Sequence, residues 1–320
     1  MSDKADKRAP PQPGLIVITG PTATGKTALG ALLAKSIGGE VVSADSMQVY
    51  EHMDIGTAKP SKAEMLGITH HLLSIVPPWE DYSVARYISD ATECIDDILS
   101  RNIVPILVGG TGLYIDSLLS GREFLARGDT PLRRSLEEEY DDTGGEAMLR
   151  RLSEIDSGRA QRLHANDKKR IVRAFEVYEA TGKTISQHDL ETQALPPRYS
   201  ALKAALTFSD RGVLYARIDK RVDAMVSEGL EQEVRSLLGM GVKPSTTAMQ
   251  AIGYKEMASA ILGECSMGEA VEKIKMESRR YAKRQLSWLR RDQSVNWIIF
   301  EKAPDIEGAA RRLAEEYEKK

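Results

Sequence analysis

The segment Gly20-Pro21-Thr22-Ala23-Thr24-Gly25-Lys26-Thr27 constrains this chain more than any other and fits the pattern G-x-x-x-x-G-K-[ST] in full. An apolar run, Leu15–Thr19, leads into it, and Ala28–Ser36 follows with helical composition. Strand, glycine loop, helix is the order of a phosphate-gripping unit. Glycines let successive N–H groups converge on one anion, and the helix adds its positive N-terminal end. Lys26 supplies a point charge to phosphate oxygens, and the Thr27 hydroxyl suits a magnesium ion. Gly182-Lys183-Thr184 repeats the last three letters, but Val177 stands where the first glycine belongs. Gly182 therefore reads as a helix end.

Further elements extend the pattern. Strands are expected at Glu40–Ala44, Leu72–Val76 and Pro105–Val108, and a helix at Ser83–Ser100 with Ser83 as its N-cap. Asp45 and the turn Gly109-Gly110-Thr111 then fall at carboxyl ends of strands, where ligands of parallel α/β sheets collect. The expected fold is α/β, a P-loop parallel sheet with helices on both faces. Composition changes near Gly121, and Pro131–Leu190 is charged and helical in character. The expected organisation is a tail at 1–13, a core at 14–120 and 200–320, and an inserted all-helical subdomain at 121–199. After the insertion come a strand at Ala201–Phe208, long helices at about Gly212–Leu238 and Met267–Arg291, and a strand at Val295–Phe300.

The chain's 320 residues suit about two domains. Hydrophobic residues make up 42%, enough for a core, and no apolar run nears the roughly 18 residues of a membrane span. Two cysteines, Cys94 and Cys265, imply neither a zinc site nor a disulfide framework. The charged, Pro-rich start reads as a solvated tail and no signal peptide, so a cytoplasmic setting is expected. A net charge of −3 argues against indiscriminate nucleic-acid binding and leaves local patches open.

Such a patch exists. Arg279, Arg280, Lys283, Arg284, Arg290 and Arg291 occupy a stretch that no acid interrupts. At about 100° per residue they fall within an arc of roughly 140° centred near Ser287. Tyr281, Ala282, Leu286, Trp288 and Leu289 take the other side. Six unmixed cations point to a polyanion, either an RNA backbone or a diphosphate. A second basic cluster, Lys168-Lys169-Arg170 with Arg173, lies in the insertion.

The phosphate loop alone leaves the chemistry open. Asp45 is a candidate magnesium ligand or a base, and a P-loop small-molecule kinase accommodates both. A non-catalytic RNA-binding module leaves the loop without a role. Several segments taken together resemble the tRNA dimethylallyltransferases: Gly20–Thr27, Asp45–Tyr50, Asp54–Pro60, Gly109–Tyr114, Asn166–Val177 and Tyr281–Arg290. They span nearly the whole chain in the family's order. Length and cysteine count are similar to the bacterial form, without the zinc-finger extension of eukaryotic relatives.

The resemblance implies transfer of a dimethylallyl group from its diphosphate to the N6 amine of the adenosine 3' to the anticodon, position 37 of tRNA. It implies that Gly20–Thr27 and Arg217 hold the diphosphate with Mg²⁺, Thr27 being the metal residue and Lys26 taking part in catalysis. By similarity, Asp45 accepts the amine's proton, Ser46, Met47 and Gln48 read the adenine, and Thr111 contacts the tRNA near the reacting centre. Arg133, Lys169, Arg170, Ile171, Val172, Arg173, Arg280, Lys283 and Arg284 are the further tRNA residues expected. Lys169 departs from the pattern, standing where many relatives carry Gln. Partners implied are tRNA, through its anticodon stem-loop, and dimethylallyl diphosphate, with no membrane and a monomeric enzyme. A prenyltransferase acting on free adenylates shares the chemistry and is the near alternative, although it needs no basic surface of this size. His70 and His71 receive no role.

Overall fold

The computed structural model describes residues 14–121, 131–193 and 196–319. The expected tail at 1–13 lies outside them. The chain divides into two compact units, Met1–Leu119 with Tyr199–Lys320, and Ser120–Arg198.

The larger unit is built on six parallel strands: β1 (Leu15–Thr19), β2 (Glu40–Ser43), β3 (His70–His71), β4 (Pro105–Val108), β5 (Ala201–Phe208) and β6 (Asn296–Phe300). Their order is β3-β2-β4-β1-β5-β6. Alternation along the strands sends side chains to opposite faces. Leu15, Val17, Val42 and Leu107 join one core, and Ile16, Ile18, Val41 and Ile106 join the other. The first core is covered by α2 (Val84–Ser100) and α3 (Gly112–Ser120), with Tyr87 stacked on Tyr114 at 4.0 Å between ring centres. The second is covered by α1 (Lys26–Ile37) and the terminal helix Ile306–Glu318. Each buried Leu, Ile or Val contributes about 1.5–3 kcal/mol. The parallel α/β sheet expected from the sequence is thus borne out.

Helix ends follow their local chemistry. Ser83 Oγ accepts from the Arg86 amide and caps α2. The strand expected at Leu72–Val76 does not form, because Leu72 and Ser74 hold φ of 60° and 50°. The edge strand is His70–His71 instead, and Val76 makes an isolated bridge to Tyr50. The single helix expected at about Gly212–Leu238 is broken. Gly229, at φ 107°, separates Arg211–Ser227 from Leu230–Gly239. Tyr254–Ile261 is a further helix that the sequence pattern does not announce, and Met267–Leu289 carries the basic strip.

The smaller unit has five helices among its described residues, α4 (Pro131–Thr143), α5 (Gly145–Ile155), α6 (Ser157–Ala160), α7 (Lys168–Thr181) and α8 (Ile185–Gln193). Its core gathers Leu136, Met148, Leu152, Ile171, Val172 and Phe175. Gly182 ends α7 at φ 70°, as its sequence context predicts. The remaining helices of the larger unit are, in chain order, α9 (Arg211–Ser227), α10 (Leu230–Gly239), α11 (Tyr254–Ile261), α12 (Met267–Leu289) and α13 (Ile306–Glu318).

Candidate active site

The β1–α1 loop turns sharply at both glycines. Gly20 has φ 137°, and a Cβ there would stand 2.5 Å from the Leu206 carbonyl oxygen of β5. Gly25 has φ 96° and enters α1 without a side-chain cap, leaving the first amides of the helix available to an anion. Between them Ala23 is held at φ 65°, a strained setting for a residue with a Cβ. Arg217 of α9 steadies it by donating from Nε to the Ala23 carbonyl at 3.0 Å. Lys26 Nζ donates to the Pro21 carbonyl at 2.6 Å, and Thr24 Oγ1 donates to the same carbonyl at 2.8 Å. Burial and then the neighbouring Arg221 guanidinium lower the Lys26 pKa to about 7, with Asp45 acting the other way.

The ends of β1, β2 and β4 meet at this loop. Ala44 donates to the Val108 carbonyl at 2.8 Å, and the Thr111 amide donates to the Ala44 carbonyl at 3.1 Å. This brings Thr111 to Ser46, whose amide donates to Thr111 Oγ1 at 3.1 Å. Asp45 uses Oδ1 to accept from the amides of Met47 and Gln48, at 2.9 and 3.4 Å. Asp45 is therefore a turn residue and an accessible acid at once, since it also lines the central cavity.

That cavity measures about 1330 Å³. Its walls include Thr22, Ala23, Gly25, Lys26, Thr27 and Arg217 on the loop side, and Asp45, Ser46, Met47, Gln48 and Arg284 beside them. Gly20, Pro21 and Thr24 complete the loop behind this surface. One wall residue escapes sequence reasoning altogether. Arg221 stands one helical turn beyond Arg217, and its buried Nε has no hydrogen-bond partner among the described residues. Burial lowers its pKa, while the carboxylates of Asp45, Glu64 and Glu228 oppose that effect. Its only sequence signal is the i, i+4 spacing from Arg217. In Arg217-Ile218-Asp219-Lys220-Arg221 that looks like an ordinary mixed-charge helix.

The basic strip is less uniform than its sequence. Arg279 bonds Asp219 and Arg280 bonds Glu277, so these two are ion-paired. That corrects the reading of six unmixed cations, because acids outside the stretch fold back on it. Lys283, Arg284 and Arg291 line a second hollow with Ser287 and Trp288. Trp288 Nε1 donates to Asp116 Oδ2 at 2.6 Å, fixing the indole.

In the helical unit, Lys169 and Arg170 are exposed. Arg133 and Arg173 converge on the buried Glu176 at 3.6 and 2.7 Å. Ile171 and Val172 are fully buried in the unit's core. The period of α7 turns their side chains inward, away from the exposed Lys169 and Arg170.

No group of three or more His, Cys, Asp or Glu able to hold a metal exists among the described residues. The Thr27 hydroxyl at the anion-binding loop fits a magnesium ion held mainly by phosphate oxygens and water.

Known proteins resemble this chain in sequence and in fold. A family model described as IPP transferase matches residues 48–292, and one described as isopentenyl transferase matches residues 13–75. The chain is 48% identical over 301 residues to the tRNA dimethylallyltransferase of Desulforudis audaxviator, covering 94% of this chain and 96% of that protein. It is 49% identical over 285 residues to that of Acetivibrio thermocellus, covering 89% and 91%. In structure it resembles the full-length tRNA isopentenylpyrophosphate transferase of Bacillus halodurans, with a TM-score of 0.71 and 40% identity over 95% of this chain and 97% of the other. It also resembles a eukaryotic dimethylallyltransferase acting on tRNA, with a TM-score of 0.79 and 30% identity over 93% of this chain and 77% of the other. With most of its length matched by the family model and by relatives approaching half identity, the chain belongs to the IPP transferase family, among the tRNA dimethylallyltransferases.

Proposed function

We propose that this protein transfers the dimethylallyl group of dimethylallyl diphosphate to the N6 amine of the adenosine 3' to the anticodon, position 37 of tRNA, releasing diphosphate. One observation carries the reading beyond family membership. The phosphate loop, two arginines of α9 and the acid Asp45 open on the same cavity. A leaving diphosphate and the amine that displaces it need those groups together.

Loop amides, Lys26, Arg217 and Arg221 meet the negative charge that grows as the allylic carbon–oxygen bond breaks. That bond's electron pair leaves with the diphosphate, and the amine's lone pair forms the new carbon–nitrogen bond. Asp45 Oδ2, which has no hydrogen bond among the described residues, takes the amine's proton. Oδ1 stays on the Met47 and Gln48 amides and keeps the carboxylate aimed. Mg²⁺, when bound at Thr27, supplies further positive charge to the diphosphate oxygens. Gln48, with Ser46 and Met47, reads the base, and Thr111 supports the turn that carries them. The target base must leave its stack at a cost of a few kcal/mol. Lys283, Arg284, Arg290 and Arg291 on one unit, and Lys169 and Arg170 on the other, offset that cost by binding RNA phosphates. No described helix is long and apolar enough to cross a membrane. We assign the enzyme to the cytoplasm, where its tRNA substrate is, and infer that it acts as a monomer.

The decisive experiment supplies purified protein with labelled dimethylallyl diphosphate, Mg²⁺ and tRNA bearing adenosine 3' to the anticodon. Label is expected at that adenosine. Label on AMP or ATP alone makes the protein an adenylate prenyltransferase, and γ-phosphate transfer from ATP makes it a kinase.

A further inference from the structure

Glu233, in the first turn of α10, ends four donors on one carboxylate. Oε2 accepts from the amides of Asp54 and Ile55, both at 2.8 Å. Oε1 accepts from the Gly56 amide at 3.1 Å and from the Tyr254 hydroxyl of α11. Three successive backbone amides converging on one carboxylate fix a segment firmly, because each charge-assisted bond is about twice as strong as a neutral one. The segment so gripped is a wall of the cavity. Lys59 ties down its far end, with Nζ donating to the Tyr50 carbonyl at 2.7 Å, Asp54 Oδ1 at 2.6 Å and Ser74 Oγ at 2.7 Å.

Between these two anchors the chain turns the carbonyls of Thr57 and Ala58 to Gln48 Nε2, each at 3.2 Å. A carbonyl only accepts, so this pair decides which end of the Gln48 amide is nitrogen and occupies both of its hydrogens. Oε1 remains as the end open to a ligand. Ser43 Oγ donates to it at 3.3 Å, and its second lone pair has no donor among the described residues. Gln48 itself lines the cavity.

We propose that Glu233 is a positioning residue for base selection. By holding the Asp54–Gly56 amides it sets the Thr57 and Ala58 carbonyls, and through them the acceptor end of Gln48. The cavity then admits a nucleobase whose exocyclic group donates and repels one whose exocyclic group accepts. This inference rests on the proposed function. It adds a residue outside the cavity's reacting groups and states what that residue discriminates.

The test compares an anticodon stem-loop carrying adenosine at the modified position with the same RNA carrying inosine, whose exocyclic group is a carbonyl. Wild-type protein is expected to bind the adenosine form about tenfold more tightly. Glu233→Gln turns an amide N–H towards backbone donors, and the preference should fall to about twofold or less while the KM for dimethylallyl diphosphate holds. Tyr254→Phe removes one donor and keeps the carboxylate, and an intermediate preference is expected even if Glu233→Gln folds poorly. A double-mutant cycle completes the test. Glu233→Gln should lower kcat/KM for RNA about 10- to 100-fold in wild-type protein, and less than about threefold in a Gln48→Ala background. An unchanged adenosine preference, or losses that simply add, overturns the inference while leaving the proposed function intact. A wild-type protein that prenylates no RNA overturns both.

Discussion

Gln285 of α12 donates from Nε2 to the Gly110 carbonyl at 2.9 Å, joining the basic helix to the turn after β4. Its other end accepts from the Thr22 amide of the phosphate loop at 3.3 Å. One buried side chain thus spans the loop that would grip diphosphate and the turn that leads to Thr111. In Gln285→Met a similar volume remains, but a buried carbonyl and an amide lose their partner. A loss of about 1–3 kcal/mol is expected in urea unfolding, with a several-fold rise in KM for dimethylallyl diphosphate. Unchanged values of both would mean that the bridge is incidental.

Asp45 holds a turn and faces the cavity, and Asp45→Asn separates the two duties. The amide oxygen can still accept from the Met47 and Gln48 amides, but the side chain no longer takes a proton. A fall in kcat of about 10²-fold or more is expected, with tRNA binding within about threefold of wild type. Asp45→Ala removes both duties and should weaken tRNA binding as well. Equal binding losses in the two variants would make Asp45 a recognition residue only.

Arg221 gives a prediction in which function and stability move in opposite directions. Its buried Nε has no hydrogen-bond partner among the described residues, which costs folding free energy that a bound diphosphate would offset. Arg221→Gln is expected to raise KM for dimethylallyl diphosphate about 10- to 100-fold while the melting temperature stays level or rises. A lowered melting temperature with unchanged KM would make Arg221 structural.

Glu40, which does not itself line the cavity, predicts an acid dependence of stability. It accepts from Arg101 at 2.7 and 2.9 Å and pairs with His71 Nε2 at 2.7 Å. The Arg101 hydrogen bond, against the opposing effect of burial, lowers its pKa from 4.5 to about 2. A folded-state pKa below the unfolded one gives stability that is complete above the unfolded value and is lost as pH falls through the folded one. The gap in urea midpoint between wild type and Glu40→Gln should therefore be constant above about pH 5 and close as pH falls from about 4.5 towards 2. A gap that persists at the acid end would show that charge is not its source. The same contacts account for His71, to which the sequence assigns nothing.

What the sequence made legible was local. Gly20–Thr27 announces its turn through its glycines, and Asp45 stands at the end of an apolar run, so both could be placed without the fold. Arg221 and Glu233 were hidden for opposite reasons. Arg221 sits among charges of both signs and resembles a solvated face, whereas its buried Nε depends on packing that only the fold supplies. Glu233 looks like any helix-start acid, and its three amide donors lie 177 to 179 residues away. Ile171 and Val172 came with a family segment taken whole, whereas the helix turns their side chains into the unit's core and leaves Lys169 and Arg170 exposed. Arg279 was taken as uncommitted because its partner, Asp219, lies on another helix.

The position of β5 also bears on the order in which a growing chain is made. β1 pairs with β4 on one side and with β5 on the other, from Leu15 against Ala201 to Thr19 against Ala205. The Gly20 turn packs on Leu206, and Arg217 and Gln285 fix the loop from still later in the chain. A nascent polypeptide halted before Ala201 carries every letter of Gly20–Thr27 and lacks the strand that flanks it. In order of synthesis, the phosphate loop thus precedes by more than 170 residues every contact that β5, Arg217 and Gln285 make with it.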